Sequence, residues 1–364
     1  MDRFLPPSRK IYIGRQKEVY DRRIFGVFPA HYPREIFWAM NALPVEIWDP
    51  PLEMRYANTH LQPYICSIVK SGLELIVQGK GEDLDGFVFP HTCDSIQNMA
   101  SIVNDYLGIK KPCYFFYHPK APYGEASQEY YREQLHRFIS DLERRLGSLN
   151  ITALHHAIEK GRALLSLLRE LYIIRARGNL DVSNQAFYRL IRQVEYRHPD
   201  DFIPFLKEYL EVNQGEKENG PVVVLSGVLP NPVEILSILD QVHIRIGDDD
   251  FLCCGRRLTF AEVDEDDPFE ALTKQYFSMP PCTTKNSPIS ERLDYIMAKI
   301  NRCGAKGVIF SMLRFCEPEL FDLPILLDSL KKNNIATLVI DTEINQGISG
   351  QLKTRIEAFA ELIR

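Results

Sequence analysis

Apolar residues in the first third of the chain fall into short runs that alternate with helical periodicities. The run Ile24 to Phe28 predicts a buried strand, Pro33 to Ala42 a helix opened by proline in its first turn, and Val45 to Trp48 a second strand. After a polar connection the pattern gives a helix over Cys66 to Val77, then a strand over Asp85 to Pro90 with the run Gly86-Phe87-Val88-Phe89. A helix over Asp94 to Leu107 and a strand over Cys113 to Tyr117 follow. Strands that alternate with helices imply a parallel, doubly wound sheet.

From about Glu125 the periodicity is helical only. Leu135, Phe138, Ile139, Leu142 and Leu146 share one face, as do Leu154, Ile158, Leu165, Leu168 and Tyr172. Polar residues from Asn213 to Gly220 read as a linker, after which a second alternating series begins. Its strands are expected at Val222 to Leu225, His243 to Ile246, Lys306 to Phe310 and Thr337 to Ile340. Its helices are expected at about Val233 to Leu239, Ile289 to Arg302, Pro318 to Lys332 and Leu352 to Ile363. The expected fold class is therefore α/β: two doubly wound, flavodoxin- or Rossmann-like parallel-sheet lobes, residues 1–124 and 218–364, joined by a helical segment, residues 125–217. The repeated pattern raises the prospect that the lobes are distant copies of one design.

Composition removes several function classes. At 364 residues the chain exceeds what one core supports. No apolar run approaches the roughly 18 residues of a membrane helix, and the segment Met1 to Lys10, with Pro6 and Pro7, lacks the apolar centre of a secretory signal. A cytoplasmic protein is expected, so its eight cysteines read as thiols or metal ligands rather than disulfides. A net charge of -6 without a Lys/Arg stripe argues against nucleic acid as the partner. No Gly-Lys-Ser or Gly-Lys-Thr phosphate loop occurs, so ATP is expected to be handled by another protein. His155 and His156 with Glu159 could suggest a metal on a helix, but a packing or solvated face is the simpler reading, as exposed turns are for the acidic runs Asp248 to Asp250 and Asp264 to Asp267.

The cysteines fall where a site would be. In open parallel sheets ligands bind beyond the carboxyl ends of the strands. Cys93 follows a strand end and precedes a helix, where the helix dipole is expected to favour thiolate. Cys316 follows the strand ending at Phe310 and precedes Pro318; Cys253 and Cys254 lead into Gly255; Cys66 opens a helix; Cys282 lies after Pro280-Pro281. Taken singly, each could be a small buried hydrophobe, and Cys113 and Cys303 are assigned to packing. Zinc would ask for close Cys-x-x-Cys pairs, and compact ferredoxin runs are also missing, so any cluster must be held by distant cysteines.

Three segments resemble the cysteine motifs of the 2-hydroxyacyl-CoA dehydratase and benzoyl-CoA reductase family: Cys66-Ser67-Ile68-Val69-Lys70-Ser71-Gly72-Leu73-Glu74, the strand Asp85 to Pro90 leading into His91-Thr92-Cys93-Asp94-Ser95, and Phe315-Cys316-Glu317-Pro318. The ending Ser349 to Phe359 resembles that family's carboxyl-terminal helix signature. The resemblance implies that Cys66, Cys93 and Cys316 hold a [4Fe-4S] cluster beside an acyl-CoA substrate. It also implies that an ATP-hydrolysing iron-sulfur activator delivers the electron, and that the chain works in anaerobic metabolism as a homodimer or with a related subunit. Asp249 to Arg257 and Met279 to Cys282 resemble the branch with one benzoyl-CoA reductase subunit and the double-cubane reductases, which adds Cys253 and Cys282 as further ligands of a double cubane; Cys254 departs from that pattern and is either a sixth ligand or a substitution for a small polar residue. One electron added to a thioester carbonyl gives a ketyl that can expel an adjacent hydroxide, and one added to an aromatic thioester begins ring reduction. A double-cubane reductase of small molecules and a non-catalytic relay or scaffold subunit are the alternatives. His31 and His91, near strand ends, are candidate proton donors.

Overall fold

A computed structural model describes residues 6–215, 220–259 and 263–364. They form two compact units. The first comprises Met1–Leu164, Gln193–Pro204 and Ala261–Met279, and the second Leu165–Arg192, Phe205–Phe260 and Pro280–Arg364. Each unit contains one four-stranded sheet, every strand pair is parallel, and helices link the strands, which is the α/β class that the alternation predicts. The anticipated linker, and the expected boundary at residues 217 and 218, fall partly on residues outside those described.

The first sheet has the order β2-β1-β3-β4, built from β1 (Arg23–Val27), β2 (Ala42–Glu46), β3 (Gly86–Pro90) and β4 (Cys113–Phe116). All residues of β2 and β3 are buried, as strands covered on both faces require, and this is why they read as unbroken apolar runs. β2 begins earlier than expected and stops before Trp48. The helix Arg34–Ala39 ends short of its expected limit, and Asn41 then takes a left-handed φ of 50° that turns the chain into the strand. Beneath the sheet, the helix Glu125–Leu146 brings Leu135, Phe138 and Leu142 into a core with Phe25, Phe37 and Phe116. The helix Pro268–Ser278, which carried no legible signal, adds Tyr276 stacked on Tyr131 at 4.6 Å.

The second sheet repeats that order as β6-β5-β7-β8, with β5 (Val222–Gly227), β6 (Arg245–Phe251), β7 (Gly307–Leu313) and β8 (Ala336–Thr342). Here one expectation is corrected. Asp248, Asp249 and Asp250 are not an exposed turn: they continue β6 and are fully buried. Hydropathy ends the strand at the first aspartate because the partners that make burial possible are distant in sequence. Lys299 Nζ donates to Asp248 at 2.9 Å, the Tyr172 and Tyr188 hydroxyls donate to Asp249 at 2.7 and 3.0 Å, and Ser226 Oγ donates to Asp250 at 2.8 Å. The second acidic run behaves as expected, with Asp267 accepting from Glu270 N to start a helix. Among the described residues no helix is long and apolar enough to cross a membrane.

Gly227, at the end of β5, shows how tightly the strand ends pack. Its φ is +145°, and a Cβ there would stand 2.2 Å from the Ser311 carbonyl oxygen of β7. Gly227→Ala should therefore destabilise the second unit by roughly 3 kcal/mol, from backbone strain together with overpacking. A urea midpoint that does not move would contradict this packing.

Candidate metal centre

In the first sheet β1 is flanked by β2 on one side and β3 on the other, so the chain reverses its direction of winding there, the place where open sheets bind ligands. Two thiols stand at this end. Cys66 caps the helix Ser67–Val77 and Cys93 caps the helix Asp94–Ser101, both in extended backbone. Cys66 is buried, and the two are close enough that charge on Cys93 disfavours charge on Cys66. Burial first, and then Cys93, pushes the Cys66 thiol up to about 12, against the pull of the Val69 and Ile68 N–H groups. Burial also raises Cys93, outweighing the N–H groups of Ile96 and Ser95. The expectation that a helix start makes Cys93 a thiolate is thus overturned, because desolvation exceeds the helix contribution. Such thiols stay protonated in the protein alone. A soft metal cation takes them as thiolates, so the donor set fits a thiolate-bound metal.

Neighbouring side chains fix the two loops. Glu74 accepts from the Tyr56 and Ala57 N–H groups, the latter at 2.7 Å, anchoring the approach to Cys66. Burial would raise its carboxyl, but these N–H groups hold it below the usual range. Lys120 Nζ donates to the carbonyls of His91 and Thr92 at 2.9 and 3.1 Å, and Ala30 N donates to Thr92 Oγ1 at 2.9 Å. His91 is half-buried, and burial with the Lys120 charge lowers its pKa. His31 is buried with φ 60°, its ring 5.2 Å from that of His118, whose Nδ1 lies 2.8 Å from the Tyr276 hydroxyl. That hydroxyl donates to the Pro119 carbonyl at 2.6 Å, so His118 Nδ1 is the donor towards it. Lys120, His118 and Tyr276 were missed in the sequence, which offers no periodicity or spacing to join them.

In the second unit Cys316 caps the helix Glu317–Lys332 at the end of β7. It follows Phe315, which is held at φ 61° although 44% exposed, an arrangement of order 1 kcal/mol or more in strain. Cys253 and Cys254 are fully buried with sulfurs 3.2 Å apart, and Asp249 Oδ1 accepts from Gly255 N at 2.8 Å to fix their turn. Cys282 is buried with its Sγ 3.0 Å from Thr284 Oγ1. Cys303 packs against Gly247, and Cys113 starts β4 half-buried. No disulfide links any of the eight cysteines. Among the described residues, neither unit by itself gathers three His, Cys, Asp or Glu side chains into a metal-holding group.

Beneath Cys282 and Cys316 lies a buried lattice of charge. Arg256 and Arg292 bracket Glu319 and Asp250, with Arg292 Nη2 2.6 Å from Glu319 and Arg256 Nε 2.8 Å from Asp250. Burial would raise the Glu319 carboxyl, but the two guanidinium groups hold it at about 2.

These features define a doubly wound α/β protein with two neighbouring thiols, one buried and one half-buried, at a sheet's switch point. The chain belongs to the 2-hydroxyglutaryl-CoA dehydratase D-component family, whose profile matches residues 29–363. It is 26% identical to the (R)-phenyllactyl-CoA dehydratase beta subunit of Clostridium sporogenes, over 97% of this chain and 95% of that one. It is 24% identical to the beta subunit of lactoyl-CoA dehydratase from Anaerotignum propionicum, over 93% and 91% of the two chains. One of the benzoyl-CoA reductase subunits of Thauera aromatica is also 24% identical, over 94% and 91%. The relatives are thus subunits of dehydratases and of a reductase, and the family is one of enzymes.

Because the Glu319 pKa is depressed on folding, its stabilisation is complete above the unfolded value of 4.5 and is lost as pH falls towards about 2. Glu319→Gln should lower stability at pH 7 by roughly 3 kcal/mol, as when one partner of a buried ion pair is removed. It should also flatten the urea stability profile between these two pH values; an unchanged acid limb would show that the carboxylate is not held this way.

Proposed function

We propose that the chain is the iron-sulfur subunit of an acyl-CoA dehydratase or reductase, with Cys66, Cys93 and Cys316 holding a [4Fe-4S] cluster. The observation that supports this most is the pair of neighbouring thiols, Cys66 buried and Cys93 half-buried, at the switch point of the first sheet. Cys316 stands at the matching strand end of the second sheet, after its third strand as Cys93 is after the first sheet's third. Bound there, such a cluster supplies a single electron of very low potential, tuned by burial and by hydrogen bonds to its sulfurs.

The chain's own residues present and shield the thiols. The helix starts direct N–H groups at Cys66 and Cys93, and Lys120 and Thr92 hold the Cys93 loop. Of the two candidate proton donors, His91 is half-buried with its protonated form disfavoured by burial and the Lys120 charge, and His31 is enclosed beside His118. The substrate is a CoA thioester bearing a 2-hydroxyl group or an aromatic ring. A separate ATP-hydrolysing iron-sulfur activator supplies the electron, in the cytoplasm of an anaerobic cell. Two of the relatives are beta subunits and the third is one subunit of its reductase, which supports assembly with a related subunit, a homodimer being the other arrangement.

Anaerobic purification with iron and acid-labile sulfide analysis tests this reading. About four iron atoms per chain fit a single cube, and about eight would add a second held by Cys253, Cys254 and Cys282, as in a double-cubane reductase of small molecules. Serine at Cys66, Cys93 or Cys316 should abolish the visible absorption, while Cys113→Ser and Cys303→Ser retain it. A chain that takes up no iron under reconstitution would sink the proposal. Calorimetry with acyl-CoA separates a catalytic subunit from a relay or scaffold subunit, which would hold the cluster and bind no thioester.

A further inference from the structure

Arg256 is where the buried charges of the second unit meet its thiols. Its Nε donates to Asp250 Oδ1 at 2.8 Å, and Nη2 reaches the Asp250 carbonyl at 2.8 Å, Asp250 Oδ2 and the Gly227 carbonyl, both at 3.1 Å. The remaining nitrogen, Nη1, carries two N–H groups. One goes to Glu319 Oε1 and the other is directed at the Cys282 sulfur, 3.5 Å away. All five donors of the guanidinium are therefore committed, one of them to a thiol.

Glu319 lies in the first turn of the helix that Cys316 caps. It is held again by Arg292 at 2.6 Å and accepts from Thr283 Oγ1, next to Cys282, at 3.3 Å. Asp250 is next to last in β6, the strand that leads into Cys253. One planar fork thus ties the Cys282 segment, the end of β6 and the start of the Cys316 helix to each other. Lysine offers three donors from a single point and cannot span these acceptors.

We propose that Arg256 is a positioning residue for the second unit's thiols: it orients Cys282 directly through an N–H to sulfur, and Cys316 indirectly through Glu319. This rests on the iron-sulfur reading only for its spectroscopic consequence, since the orientation of a ligand thiolate, here Cys316 held through Glu319, shifts the electronic properties of bound iron.

The test uses the full chain and its Arg256→Lys and Glu319→Gln variants. In metal-free protein, N-ethylmaleimide labelling read by mass spectrometry should be about tenfold faster at the buried Cys282 in Arg256→Lys, local opening governing the labelling of a buried thiol, and the rate at the half-buried Cys316 should change with it. Cys303, in the core away from the lattice, should be unchanged. In Glu319→Gln, Cys316 should gain more than Cys282, because Arg256 still reaches the Cys282 sulfur. Equal labelling of Cys282 and Cys316 in wild type and both variants would overturn the proposal. If Arg256→Lys also exposes Cys303, it has unfolded, and Glu319→Gln decides. In iron-loaded protein, Arg256→Lys should alter the electron paramagnetic resonance signature of the reduced state at equal iron content; an identical signature would confine Arg256 to stability alone and defeat the positioning role. A wild type that binds no iron defeats the function reading instead, and the labelling still judges Arg256.

Discussion

Three consecutive carboxylates, Asp248, Asp249 and Asp250, run into the interior at the end of β6, where an unpaired charge would cost several kcal/mol. Each must find a partner, and each partner pins a different element. Lys299 ties Asp248 to the helix Ile289–Cys303, Tyr172 and Tyr188 tie Asp249 to two earlier helices, and Arg256 and Arg292 tie Asp250 to Glu319. The placement of Cys254, Cys282 and Cys316 follows from that requirement, because Gly255, Arg256 and Glu319 are the groups that answer it. A neutral strand end would pack as well, but it would leave those three segments free to shift independently.

The first unit reaches a similar arrangement of thiols by other means. Glu74 gathers backbone N–H groups, Lys120 gathers backbone carbonyls, and no buried ion-pair lattice is needed. In both sheets cysteines occur in the connection between the second and third strands and again directly after the third. Cys66 and Cys93 take these places in one, and Cys253, Cys254 and Cys282 with Cys316 take them in the other. Shared strand order with equivalent thiol placement supports two copies of one design whose supporting contacts have diverged.

How much was legible in the sequence depends on whether a signal is local. The strands of both sheets were readable because buried parallel strands are continuous apolar runs, and the helix-start positions of Cys93 and Cys316 were readable because strand, cysteine and helix start are adjacent in the chain, whereas only the helix start marks Cys66. The extension of β6 was not. Its burial is decided by Tyr172, Lys299 and Arg292, far along the sequence, and hydropathy counts a paired aspartate like a solvated one. The same holds for Tyr276 beside His118, which sit 2.8 Å apart across a long sequence separation. The protonation of Cys93 was misjudged for a related reason: the helix start is visible locally, whereas the desolvation that outweighs it depends on the whole fold.

That misjudgement bears on chemistry. A nucleophilic cysteine needs its pKa lowered towards ambient pH, by cations or a helix start in a partly open setting. Cys66 and Cys93 have the helix starts, yet both are pushed the other way. Charge on Cys93 also disfavours ionisation of its buried neighbour Cys66, which is a defect in a nucleophile and no defect in a ligand pair, since a bound cation reverses such penalties. Burial that would disable covalent catalysis is, for a metal-bound thiolate, the condition that excludes water and sets the electronic character of the metal. The electrostatics of the first unit therefore give neither thiol the lowered pKa that nucleophilic attack requires.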